Sequence, residues 1–435
     1  MKFYSTSGNK SNKVSFREAV MRGLAENGGL FMPENIPSLG NDYFNNLDSK
    51  SFQQIAFDIT KLFSTNEIEN SKLKNLIDDA INFNAPVNVL SNNFGILEQF
   101  HGPTLAFKDF GARFMARIMS HFLEQENREL NILVATSGDT GSAVASGFYQ
   151  TPGINVFVLY PSGKISNIQE KQITTLNKNI TAIEIDGTFD DCQKLVKDAF
   201  VDSELSSSKN LSSANSINIA RLVPQSFYYV EAYKQIKNKS SKIIFSVPSG
   251  NLGNLTAGLF AKNMGLPVYK FISATNANSA FTEYVHSGKF IPRKSVQTYS
   301  NAMDVGNPSN LDRINELFHS NISEISEVIF SETYSDIETL AGIKDIYSKY
   351  NYIIDPHGSI GYLALKDYLE KENLENYFGI VLETAHPSKF EDVVEKAINT
   401  KAKMPERLAS CLSKEKHSVK LKNNFETFKE YLLQL

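Results

Sequence analysis

Residues 242–262 read KIIFSVPSGNLGNLTAGLFAK, and this stretch decides the fold. Residues 242–247 form an apolar run of the kind buried in a parallel sheet, and residues 255–262 read as a helix. Between them lies a turn with two glycines and two asparagines. Strand, glycine turn and helix start make an anion cradle, because free backbone amides and the positive end of the helix dipole face one point. Gly250 and Gly253 allow close approach of the backbone to a phosphate, and Asn251 and Asn254, flanking Leu252, are expected to take the unusual turn dihedrals. The Gly-Lys-Ser/Thr ending of a nucleotide P-loop is missing, which disfavours a triphosphate. Taken alone, the loop reads equally well as an ordinary strand-to-helix turn.

Two further loops repeat this grammar. ATSGDTG (135–141) separates a strand-like run, LNILV (130–134), from a helix-like one, SAVASGFY (142–149). Its hydroxyls and amides suit a carboxylate or another small anion. VLETAHP (381–387) is a strand end carrying Thr384 ahead of a proline-started helix. Both loops fall at strand C-termini, where open α/β sheets place their ligands. A fourth segment, HGPTLAFKDFG (101–111), sets Lys108 among aromatic and uncharged neighbours. Burial there favours a neutral, nucleophilic amine, which a Schiff base with an aldehyde cofactor requires. Asp109 beside it opposes this, since a carboxylate keeps a lysine protonated, and a snorkelling lysine is the competing reading.

Outward from these loops, apolar runs alternate with helical stretches. Strands are expected at 130–134, 154–160, 180–185, 242–247, 268–274, 326–330 and 378–383, an alternation that implies parallel sheets covered by helices on both faces. The chain divides into an N-terminal extension (1–95), a smaller α/β segment (96–240) with Lys108 at its edge, and a larger one (241–435). The extension opens with an amphipathic helix: Ser15 and Glu18 are spaced as a capping box, Phe16, Val20 and Leu24 share a face, and Gly28 and Gly29 end it. The serine- and asparagine-rich run 205–216 is expected to be a loop.

Composition sets limits. The 435 residues carry a net charge of −4, with no basic run that would mark a nucleic-acid partner. Two cysteines, Cys192 and Cys411, lack Cys-x-x-Cys spacing, and the seven histidines offer no metal-ligand pair, so neither a disulfide framework nor a metal is expected. His101, His357 and His386 fall in motif segments and are the histidines expected near a site. The first residues, MKFYSTSG, hold no apolar signal core, and no run is long enough to span a membrane, so a cytoplasmic protein is expected.

Taken together, these segments resemble the threonine synthase family, enzymes of the fold-type II class that use pyridoxal phosphate. The resemblance covers nearly the whole chain. It runs through VSFREAV (14–20), NGGLFMP (27–33), the Lys108 segment, SGDTG (137–141), YPSGKIS (160–166), NSINIAR (215–221), PSGNLGN (248–254), NAMD (301–304), DPHG (355–358) and ETAHP (383–387). It implies two doubly wound parallel-sheet domains with a helical N-terminal extension. It makes Lys108 the Schiff-base lysine, residues 250–254 the cofactor phosphate loop, and Thr384 the partner of the pyridine nitrogen. Ser137, Thr140 and Asp139 would hold the substrate carboxylate end and approach the cofactor ring oxygen. Many relatives of the fold carry asparagine where this chain has Asp139, and an aspartate there repels an anionic ligand unless protonated or bonded away. Lys164, Ser216, Asn218 and Arg221 would form a second, substrate phosphate site. Taken without the resemblance, Ser216 reads as a helix cap and Arg221 as a solvated helix residue.

The implied reaction converts the small-molecule substrate O-phospho-L-homoserine and water to L-threonine and phosphate. Two other readings stay open at this point. One is another fold-type II lyase, such as a serine or threonine dehydratase or a phospholyase. The other is a non-catalytic relative that binds the cofactor or a partner.

Overall fold

Two parallel sheets organise the chain in the computed structural model, which describes residues 1–124, 129–239 and 241–434. The larger sheet has six strands in the order Ile329–Thr333, Lys270–Thr275, Lys242–Pro248, Tyr377–Glu383, Phe94–Glu98 and Val87–Ser91, of which only the last pairs antiparallel. The smaller has five parallel strands in the order Val419–Lys422, Ile180–Asp186, Ile154–Pro161, Leu130–Ala135 and Leu211–Ser213. Ile329–Thr333 lies slightly later than the expected strand because the helix Ile322–Val328 takes the preceding residues.

Alternation along each strand explains why the runs are apolar throughout. Phe245, Val247, Phe271, Ile380 and Leu382 point to one face of the larger sheet, while Ile244, Ile272, Ala274 and Val381 point to the other. In the smaller sheet Ile132, Val134, Val156 and Val158 join the same core as the first set, and Leu133, Phe157, Leu159 and Ile183 face a separate cluster. One continuous core thus lies between the sheets, and each sheet also buries its outer face. Strands covered on both faces cannot alternate apolar with polar, so their sequences read as solid hydrophobic runs.

Sheet membership does not follow the divisions at 95 and 240. Phe94–Glu98 pairs with Tyr377–Glu383 in the larger sheet, and Val419–Lys422 pairs with Ile180–Asp186 in the smaller. Residue 240 itself lies outside the described residues.

The extension packs directly on the elements that carry the loops. Phe63 stacks on Phe260 at 6.3 Å, and Phe52 meets Phe110 edge-on at 5.8 Å. Its first helix is shorter than expected. Helix Phe16–Arg22 begins at Ser15, whose Oγ accepts from the Glu18 amide at 3.1 Å, but it ends at Gly23 rather than at Gly28 and Gly29. Gly23 takes φ 73° and donates its N–H to Ala19, a left-handed cap that stops the helix before Leu24, which is 37% exposed. The Glu18 carboxylate binds Arg22 at 2.8 Å instead of closing the box. The run 205–216 is not one loop either. Asp202 caps a short helix, Ser203–Ser208, and Leu211–Ser213 adds a strand, because Leu205 and Leu211 bury apolar side chains in the outer core of the smaller sheet.

Among the described residues no helix is long and apolar enough to cross a membrane, and no cluster of His, Cys, Asp and Glu is placed to hold a metal ion.

Candidate active site

Lys108 is the first residue of the helix Lys108–Leu123, and the chain leading to it is stitched to the strand end at Thr384. The Phe107 amide donates to the Thr384 carbonyl at 2.8 Å, the His386 amide to the Leu105 carbonyl at 3.0 Å, and Ala106 pairs with Ala385 as an antiparallel bridge. Leu105 adopts φ 59° to make this turn. Two motifs far apart in sequence are therefore neighbours through their backbones. A cavity of about 450 Å³ opens beside them, lined by Phe100, His101, Leu105, His386, Pro405, Glu406 and Arg407. Burial and the Arg407 charge push His386 down to about 4, so its ring is neutral at pH 7. His357 serves the framework: its Nδ1 donates to Asp355 at 2.6 Å and its Nε2 accepts from the Ala302 amide at 3.2 Å.

The surroundings of Lys108 make its amine easier to neutralise. The side chain is half-buried, and crowding by protein pushes its pKa down to about 8 against the pull of Asp139, with help from the Lys389 and Arg221 charges. Asp109 does not pair with it. That carboxylate is buried and accepts from the amide and hydroxyl of Thr104 at 2.8 and 2.6 Å. Asp139 is buried too, a setting that by itself raises a carboxyl pKa. The ammonium of Lys389 at 2.6 Å, the Lys108 charge and the Gln169 amide at 3.0 Å outweigh that and hold it well below the usual range. The aspartate is thus bonded away.

The loop holding Asp139 is shaped by Thr136, whose Oγ1 accepts from the Gly138 and Gly141 amides at 2.9 and 2.8 Å. Ser137 and Thr140 stay half-exposed on it at the start of helix Asp139–Phe148. In the 250–254 loop the asparagines are scaffolding. Asn251 donates to Ser216 Oγ at 2.5 Å and accepts from the Ser309 amide, while Asn254 accepts from the hydroxyls of Tyr228 and Tyr229, both at 2.8 Å. The left-handed residue is Leu252, at φ 59°, rather than either asparagine. Gly250 is required by close approach, since a Cβ there would stand 2.8 Å from the Met303 Cα. Any anion in this loop is left to the first-turn amides of helix Gly253–Asn263.

Arg221 is 3% exposed, in the short helix Ile219–Leu222. Its Nη1 donates to the Ala214 carbonyl at 2.5 Å, and its Nε has no partner. Burial pushes its pKa down to about 10, with only the more distant Asp109 opposing. A buried guanidinium with an idle N–H is the arrangement an anionic ligand completes. Asn218, not Ser216, caps this helix: its oxygen accepts from the Ala220 amide, and its nitrogen donates to Val20 and Ser213 carbonyls. Its amide is spent on the fold. Ser216 links its own loop to the 250–254 loop through Asn251. Lys164 is exposed, and the charge it acts on is Asp191.

Beneath these loops lies Arg313, fully buried, donating to the carbonyls of Phe31 and Ile217 and, at 2.8 Å, to Asn310. Asn310 in turn donates to the Asn251 carbonyl at 3.0 Å. Burial pushes the Arg313 pKa down to about 9.

Three regions of this chain match family models: the threonine synthase N terminus over residues 2–81, the pyridoxal-phosphate-dependent enzymes over 89–382, and the threonine synthase C-terminal region over 358–432. A threonine synthase of Buchnera aphidicola subsp. Schizaphis graminum is 43% identical over 436 residues, covering 100% of both chains. The chain belongs to the threonine synthase family. The crystal structure of threonine synthase from Escherichia coli superposes with a TM-score of 0.93 at 40% identity, over 100% of both chains. That of threonine synthase from Brucella melitensis, with pyridoxal phosphate bound, gives 0.94 at 32% identity, over 100% of this chain and 99% of the other. Like its family, this threonine synthase relative is an enzyme dependent on pyridoxal phosphate. The residues present fit that group: a Cβ on Gly253 would meet nothing nearer than Asn310 Nδ2 at 3.5 Å, so the cradle has room, and Lys108 supplies a readily neutralised amine.

Sequence reasoning missed Lys389, Gln169 and Arg313. Lys389 lies two residues past the end of ETAHP in the 3-10 turn Pro387–Phe390, yet its side chain is fully buried against Asp139. The signal was Asp139 itself, since a buried aspartate in an anion loop needs a cation.

Proposed function

We propose that this chain converts O-phospho-L-homoserine and water to L-threonine and inorganic phosphate. The observation that carries the reading is the buried Arg221 guanidinium, which makes no ion pair among the described residues, while the 250–254 loop offers a separate cradle. A phosphorylated cofactor and a phosphorylated substrate need two anion sites.

Pyridoxal phosphate, when bound, supplies a ring that takes up the electron pair left when a proton leaves Cα. The backbone amides around Gly250, Asn251, Leu252, Gly253 and Asn254 hold its phosphate, and Thr384 meets the pyridine nitrogen with a hydroxyl, which does not keep a proton there. Lys108 would carry the cofactor and, when its amine is free, moves protons. Its amine, near pKa 8, takes the proton from Cα and releases it before taking a second from Cβ; phosphate leaves Cγ, the hydroxyl of water adds at Cβ, and the protons taken from Cα, Cβ and water end on Cγ, Cα and the phosphate. Ser137, Thr140 and the first-turn amides around Asp139 hold the substrate carboxylate. Arg221 and Ser216 bind the leaving phosphate, Asn218 holds their loop in shape, and exposed Lys164 lies at the rim. The cytoplasm is the compartment this reading implies.

Arg221→Ala tests it. Loss of a charge-assisted contact in a desolvated site costs on the order of 2–5 kcal/mol, so kcat/KM for phosphohomoserine falls by roughly two to four powers of ten. Bound cofactor and any slow deamination of serine stay as they were. Equal losses on both substrates would assign Arg221 to the fold or the cofactor instead.

A further inference from the structure

We propose that Lys389 is a positioning residue for Lys108: by taking Asp139 as its own ion partner, it prevents that carboxylate from pairing with Lys108 and pinning it in the protonated form. The inference rests on the reading of Lys108 as the cofactor lysine and the proton carrier.

The geometry is specific. The Lys389 side chain has no exposed surface, and its Nζ is fixed at two points, by Asp139 Oδ1 at 2.6 Å and by the Thr104 carbonyl at 3.0 Å. Gln169 Nε2 adds a second contact to the same Oδ1 at 3.0 Å, so that oxygen is committed away from Lys108. Three charges bear on Lys108: Asp139 from the helix Asp139–Phe148, Lys389 from the turn Pro387–Phe390 and Arg221 from the helix Ile219–Leu222, while Asp109 is next to it in the chain. Asp109 is saturated by Thr104, and Arg221 has no ion partner within its own loop. With Lys389 absent, Asp139 is a buried carboxylate whose nearest remaining cation is Lys108. It would then hold the very proton that Lys108 must give up.

Thr104 extends the argument to position. Its amide and hydroxyl bind Asp109, and its carbonyl accepts from both Lys389 and Gln172. One ammonium therefore fixes the turn leading into Lys108 as well as the loop that faces it. An aspartate paired with a lysine is electrically neutral, as an asparagine alone would be. Asp139 and Lys389 together thus replace a neutral side chain, and neither is suited to the site without the other.

The test follows the titration of Lys108 rather than turnover. In the full-length, cofactor-stripped chain, trace acylation of Lys108 with acetic anhydride is measured against pH by mass spectrometry, and the wild-type midpoint is expected near 8. Lys389→Met raises the midpoint by about one pH unit, roughly a tenfold loss of neutral amine below it. The double variant Lys389→Met/Asp139→Asn brings it back, and Lys389→Arg leaves it in place. In the holoenzyme, the visible absorbance of the cofactor linked to Lys108 titrates with the same ordering of variants. An unchanged midpoint in Lys389→Met, or an equal shift in the double variant, overturns the proposal. If Lys389→Met does not fold, Asp139→Asn alone carries the test. It leaves the Lys389 charge unopposed beside Lys108, so the midpoint must fall, and a midpoint that stays overturns the idea equally. If the acylation midpoints move and the absorbance does not, the electrostatic proposal stands and Lys108 is not the cofactor lysine.

Discussion

Arg221 crosses the Lys108 helix at Gly111: a Cβ on Gly111 would stand 2.8 Å from Arg221 Nε and 2.9 Å from the Arg221 carbonyl oxygen. The glycine sits one turn beyond Lys108, so the arginine packs on the lysine's helix close to the lysine. Gly111→Ala forces the guanidinium or the helix to shift. Overpacking of this kind costs about 1–3 kcal/mol. The expected result is a lower melting temperature and at least a tenfold drop in kcat/KM for phosphohomoserine, with most of the cofactor retained. Full activity in Gly111→Ala would show that Arg221 need not lie where it does.

Lys108 makes folding depend on pH in a defined direction. Its folded pKa, about 8, lies below the 10.5 of an unperturbed lysine, so between these values the unfolded chain binds more protons. This group's contribution opposes folding at neutral pH, and the opposition fades as pH rises from 8 to 10.5. Lys108→Met in the cofactor-free chain should therefore raise the melting temperature at pH 7, with the gain shrinking as pH rises through that window. Denaturation curves at pH 7 and pH 10 decide it, and a gain that is equal at both would refute the assignment.

Gly253→Asp places a carboxylate in a space where the nearest neighbours of a Cβ are Asn310, Ser216 and Gln225, all at 3.5 Å or more. The chain folds, because the site has room, but an anion there repels phosphate. Retention of pyridoxal phosphate after dialysis, read by absorbance, should fall sharply. Full retention would move the cofactor phosphate elsewhere.

Arg313→Met leaves the Phe31 and Ile217 carbonyls and the Asn310 side chain without their donor. Buried acceptors stripped of partners cost about 1–3 kcal/mol each, so a large loss of stability is expected. At temperatures where the variant is still folded, affinity for both pyridoxal phosphate and phosphohomoserine should weaken together. Weakening of one alone would disconnect the two loops.

Much of this was legible in the sequence. The 242–262 stretch is strand, glycine loop and helix as read, because both faces of its strand are covered and its apolar run is unbroken. What escaped depended on contacts between distant segments. A lysine after His-Pro-Ser reads as a surface residue, and only Asp139, packed on it from the other sheet, makes Lys389 a buried one. The turn conformation of Leu252 was hidden because the asparagines around it looked better suited, yet both have their side chains committed to Ser216, Ser309 and two tyrosines. The early helix stopped at Gly23 because one left-handed glycine suffices, although the later glycine pair is the louder signal.

The bond from Arg313 to the Phe31 carbonyl spans 282 residues of chain. Contacts of that separation form late in folding, after a very large loop has closed. Because Arg313 also carries Asn310, and through it the 250–254 loop, both proposed anion sites inherit that delay. During synthesis the first 33 residues leave the ribosome long before the arginine that clamps them, and the site can mature only in chains that have kept that segment unpaired and unaggregated until then. The extension, to which the proposed reaction assigns no side chain, thereby sets the moment at which the enzyme becomes competent to hold its cofactor.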